Sequence, residues 1–171
     1  MGENLSTRVR LEVINDNIVD NTPRTVSCMD FWSLPQEEVQ LTSGAGDKTL
    51  PDVTVAGIPT GATITRVVAL LRFRVIENTF AGGNSLSNAQ EIQVRDDSPS
   101  AWADAINFVD GMFAFTAASR EGGLILEGAI DIKATVDGND GYNFQWDEAI
   151  AAQNNLQFND VQVGLRIYFT P

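Results

Sequence analysis

At 171 residues, with 43% hydrophobic and 20% charged side chains, the chain has globular composition and the length of one domain. Its formal charge of −12 and the lack of any Lys/Arg run disfavour sequence-independent nucleic-acid binding, which needs cations that displace phosphate counterions. The absence of histidine removes Ser-His-Asp and Cys-His nucleophile pairs and the commonest zinc ligand, and a single cysteine excludes an intramolecular disulfide.

The first ten residues, MGENLSTRVR, contain no apolar core of a secretory signal, so synthesis in the cytoplasm without a signal peptide is expected. Residues 1–7 read as a polar arm, and 8–171 as a single β domain. In RVRLEVI, Val9, Leu11 and Val13 alternate with Arg8, Arg10 and Glu12, the period-two signature of a strand. Cys28, in TVSCMDFW, reads as a small core residue because its neighbours are apolar. EVQLTS and PDVTVAG are further strand candidates through Val39, Leu41, Val53 and Val55.

The most apolar stretch, GIPTGATITRVVALLRFRVIENT, spans 57–79 and contains Arg66, Arg72 and Arg74. Its polar interruptions exclude a membrane helix, which needs about 20 mostly apolar positions. Ile64, Val67, Val68, Leu71 and Val75 also fit helical spacing. The β-branched residues between 63 and 76 favour a pleated surface, however, and the stretch reads as one long strand. One face would carry Val67, Ala69, Leu71, Phe73 and Val75, and the other Ile64, Arg66, Val68, Leu70, Arg72 and Arg74.

EIQVR, MFAFTA, GAIDIKATV, NDGYNFQW and DVQVGLRIYF continue the strand pattern, separated by turn clusters such as AGGNS, REGG and DGNDG. SPSAWADAINF and WDEAIAAQNNL could each form a short helical turn. About nine or ten strands with few helices predict an all-β, antiparallel β-sandwich of jelly-roll kind with one or two short helical turns.

Candidate sites are few. Asp137, Asn139 and Glu148 stand at positions 1, 3 and 12 of a calcium-loop spacing, but Gly141 and Tyr142 occupy positions 5 and 6, where a ligand and a glycine belong. A hairpin turn explains Asn-Asp-Gly equally well, and no metal or cofactor is expected. Asp96, Asp97, Asp104 and Asp110 form an acidic group whose bland reading is a solvated loop. Trp102, in a loop-like setting, could stack on a ligand such as a sugar ring, although a tryptophan in a sandwich is more often an anchor. The mixed strand face of Arg66, Val68, Leu70, Arg72 and Arg74 is a candidate interface, with burial inside the same chain as the alternative.

The segment VAGIPTGATITRVVALLRF, through Ile58, Pro59, Gly61, Ala62 and Ile64, resembles the loop-and-long-strand segment of bacteriophage structural proteins and some secreted β-sandwich modules. With acidic charge, Gly/Asn-rich turns and the end VGLRIYFTP, the chain is similar to phage decoration (cement) and minor virion proteins. That resemblance implies a non-enzymatic virion protein that oligomerises, with a trimer favoured, and binds a major capsid or other virion protein, without nucleic acid or membrane. Contacts are expected through an edge strand, the 1–7 arm or loops such as 81–87. The alternative is a carbohydrate- or surface-binding β-sandwich module.

Overall fold

A computed structural model describes residues 26–41, 46–88, 90–98, 100–148 and 156–170. Among the described residues eleven strands occur in chain order: β1 (Ser27–Trp32), β2 (Gln36–Leu41), β3 (Lys48–Thr54), β4 (Thr63–Arg72), β5 (Val75–Asn78), β6 (Gln90–Asp96), β7 (Ala103–Asn107), β8 (Ser119–Gly122), β9 (Ile125–Glu127), β10 (Gly141–Glu148) and β11 (Leu156–Thr170). All pairings between them are antiparallel. No helix occurs among the described residues, and so none is long and apolar enough to cross a membrane.

The larger sheet is organised by β11. Its first part pairs with β2 on one side and β5 on the other; its second part pairs with β1 and β4. Beyond β5 lies β8, and beyond β4 lies β9. The smaller sheet has the order β3-β10-β6-β7.

The partner switch along β11 falls at Asp160, which has a positive φ of 55° and is skipped in the pairing. Every neighbouring strand is interrupted at the same level: β1/β2 at 33–35, β4/β5 at Phe73–Arg74, and β8/β9 at Gly123–Leu124. A crease therefore crosses the whole sheet. Backbone bonds still bridge it, from Ser33 N to Val163 O at 2.9 Å, Arg74 N to Asn159 O at 2.9 Å and Gly123 N to Arg74 O at 2.8 Å.

The inner faces of both sheets share one core. Val67, Ala69, Leu71 and Phe73 project into it, as alternation predicts, together with Val161, Val163, Leu165 and Ile167. From the smaller sheet come Ile92, Val94, Tyr142, Phe144 and Trp146. Phe158 joins the layers, its ring 5.0 Å from Phe73 and 4.7 Å from Trp146. Such offset and edge contacts suit the ring quadrupoles.

Several expectations need correction. The stretch 57–79 is two strands, because the chain leaves the ladder at Phe73–Arg74, level with Asp160 and its positive φ, where Arg74 N donates to Asn159 O instead. The segment expected to hold a helical turn at 98–108 contains β7, which buries Ala105 and Ile106 by pairing with β6; a short segment with weak helical preference is overridden by a waiting sheet edge. The other helical turn falls largely on 149–155, outside the described residues, as do the 1–7 arm and the strand at 8–14.

The GAIDIKATV segment runs along the edge of β4 without becoming a strand. Gly128 N and Ile132 N donate to Ala69 O and Val67 O, while the Asp131 carboxylate, instead of a carbonyl, accepts from Val67 N at 3.0 Å. A turn then brings Val136 N back to Ile132 O, so these two buried residues meet by folding and not by alternation. MFAFTA contributes one isolated bridge, Phe115 to Asn84, and the REGG turn cluster is mostly β8. Cys28 is exposed, since it points outward with Asp30 on β1.

Candidate interaction surface on the larger sheet

The outer face of the larger sheet is built by β1, β11, β4 and β9, whose register aligns Asp30, Arg166 and Val68 in one row. The next row is Trp32, Gly164, Leu70 and Glu127. Val68 and Leu70 are buried although they lie outside the shared core. In their rows stand Arg166, which donates to Asp30 through Nε and Nη2 at 2.8 Å each, and to Glu127 through Nη1 at 2.6 Å. One guanidinium thus ties β1 to β9 across the intervening β4. These donated bonds hold the Asp30 carboxyl below its usual range and raise the Arg166 pKa.

Beside it, Trp32 lies against β11 because position 164 is glycine: a Cβ there would stand 2.7 Å from Phe31 O and 2.8 Å from the indole. The Arg72 guanidinium stacks 4.2 Å from the Trp32 ring centre, and its Nε donates to Gln162 Oε1 at 2.8 Å. Gln162 in turn donates to Ser33 O. Arg74 pairs with Asp160 in the crease.

Where the crease meets β8 and β9, an open groove of about 360 Å³ is lined by Arg72, Phe73, Arg74, Leu124, Ile125 and Asp160, among others. Leu124 and Ile125 are exposed apolar residues on its wall. The outer face of the smaller sheet differs in chemistry: Gln93 bonds Gln145, Glu91 and Asp104, and Asn143 bonds Asp52. Burial, then the nearby Asp104, pushes the Glu91 carboxyl up.

The five residues of the expected interface face thus separate. Val68 and Leu70 are covered within a single chain, Arg66 is exposed near the start of β4, and Arg72 and Arg74 line the groove. The groove's apolar wall escaped sequence reading because Gly123–Ile125 looks like a turn; its signal was Leu124-Ile125 directly after the REGG cluster.

Trp102 is half-buried, with the Arg95 guanidinium 4.4 Å over its ring, so one stacking face is already occupied. Trp146 is core, stacked on Phe108.

The calcium spacing does not form a loop. Asn139 instead brackets the Ile58 peptide, accepting from Ile58 N and donating to Ile58 O at 2.9 Å each. Glu148 stands at the far end of β10, about 23 Å from Gly141 along an extended strand. What does gather are Asp96, Asp97 and Asp140, with one carboxylate oxygen from each within 4.8 Å of the others. Repulsion from Asp140 raises the Asp97 pKa, whereas Ser98, donating from its amide and hydroxyl, lowers that of Asp96.

No family model matches the sequence, and no curated protein matches it significantly.

Proposed function

We propose that this chain is a structural virion protein, a capsid decoration (cement) or head/tail component, that oligomerises and binds a capsid surface without catalysis. The observation that carries the reading is the strand order. When each strand interrupted at the crease is counted once, the described residues form eight strands, and their sheet orders are 1-8-3-6 and 2-7-4-5. That arrangement supports a jelly-roll sandwich, an architecture used by viral capsid and lectin domains. The loop-and-strand segment at 55–73 adds to it: Ile58 is buried and its peptide is bracketed by Asn139, so the segment is part of the frame.

Between the two users of this architecture, surface chemistry favours the structural one. Sugar binding relies on open aromatic faces; here Trp32 and Trp102 carry guanidinium groups and Trp146 is core. A decoration protein needs a modest contact repeated over a lattice, where multivalency supplies affinity. The test is mass spectrometry of virus particles banded on a density gradient from the source culture. Peptides of this chain should co-band with the major capsid protein in many copies. Recovery only from the particle-free fraction, together with glycan-array binding lost in Trp102→Ala, would replace this reading by the carbohydrate-binding one.

A further inference from the structure

Three of the six large exposed hydrophobic residues among those described, Leu34, Leu124 and Ile125, lie along the crease; the others are Val26, Phe80 and Val109. Apolar residues scattered at random need no explanation, but residues gathered along one feature mark a contact. The three sit at opposite edges of the larger sheet. Leu34, 81% exposed, occupies the break between β1 and β2; Leu124 and Ile125, 39% and 66% exposed, occupy the break between β8 and β9 and the start of β9. Three strand spacings separate these edges, about 14 Å.

The charges at the two edges are opposite. Leu34 is followed by the exposed Glu37 and Glu38. The groove at the other edge presents Arg72 and Arg74, of which Arg74 is already paired with Asp160 in the groove wall. Arg72 is held ready by its stack on Trp32 and its Nε bond to Gln162, and among the described residues no carboxylate pairs with it. A guanidinium fixed in this way loses little freedom when it engages an acid.

We infer that the groove of Arg72, Arg74, Leu124 and Ile125 receives the Leu34–Glu38 edge of a second copy of this chain. The inference rests on the oligomeric part of the proposed function and gives it a contact. A second copy suits the groove because its Glu37–Glu38 edge sets acid against Arg72 at the point of contact, which offsets there the repulsion between copies of charge −12. Two different patches on opposite edges form a heterologous contact, which propagates from copy to copy and closes into a ring when the rotation permits.

Sedimentation velocity on the full chain tests this with Leu34→Asp, Ile125→Asp and a 1:1 mixture of the two. Both side chains are exposed, so each variant should keep the wild-type far-UV spectrum. The wild type should sediment as a closed oligomer, and each variant should dissociate with a dissociation constant raised about tenfold or more. The mixture should recover dimers, because one variant keeps an intact groove and the other an intact edge. A monomeric wild type overturns the inference and, with it, the oligomeric part of the function. An oligomer that survives in both folded variants, or a mixture that recovers no dimer, overturns this contact alone and leaves particle attachment to be judged by mass spectrometry.

Discussion

Arg166 grips Asp30 with two parallel hydrogen bonds, Nε to Oδ1 and Nη2 to Oδ2, both 2.8 Å, across the β1–β11 pair. Both side chains are about one-third exposed, so the pair contributes about 1 kcal/mol and not the larger worth of a buried ion pair. Asp30→Asn should lower stability by roughly that amount at pH 7. The Asp30 pKa is depressed in the folded state, so its contribution is fully present above the unfolded carboxyl value of about 4 and is lost as pH falls through the folded value. Urea midpoints should therefore separate wild type from variant at pH 7 and converge at about pH 2. A gap unchanged at acid pH would show that the charge is not what Asp30 contributes.

Val68→Asp should unfold the chain and not merely dissociate an oligomer. Val68 is fully buried in a single copy, in the row of Asp30 and Arg166, so an aspartate there places an unpaired charge under cover. The cost should exceed about 3 kcal/mol. Circular dichroism and light scattering check it together: a folded monomer would mean that the cover comes from another subunit.

Adjacent glycines should behave differently. A Cβ at Gly123 would lie 1.8 Å from Phe73 O, where β4 breaks, whereas a Cβ at Gly122 meets nothing within 4 Å. Gly123→Ala should destabilise by about 3 kcal/mol or more, and Gly122→Ala should stay within about 0.5 kcal/mol of wild type. Thermal melts of the two variants decide the matter; equal melting temperatures would mean that the crease is free to open.

Asn139→Ala removes both bonds to the Ile58 peptide and should cost about 1–3 kcal/mol, because the partly buried Ile58 N–H and C=O lose their partner. Asn139→Asp keeps the acceptor but not the donor and should fall between alanine and wild type. Hydrogen exchange at the Ile58 amide should accelerate in the alanine variant; an unchanged rate would place the restraint elsewhere.

The sequence by itself determined the antiparallel all-β character and most of the core. Period-two alternation writes each strand's inward face into the chain, and Val67, Ala69, Leu71 and Phe73 appear in the core as alternation requires. It also located strands at 91–95, within 139–146 and at 160–169, where alternation is regular over several residues, and the structure extends them to 90–96, 141–148 and 156–170. What only the tertiary structure decided is where alternation stops. The break at Phe73–Arg74 has no local signal; it lies level with Asp160, whose backbone turns left-handed more than eighty residues away. Strand β7 reads as helical because its burial depends on β6, and Val68 and Leu70 read as a half-exposed face because residues that share their rows, Arg166 and Trp32, lie on other strands. The groove is the plainest case. Arg72 and Arg74 come from one segment and Leu124 and Ile125 from another, and only pairing of both to the same crease brings cationic and apolar groups to one edge.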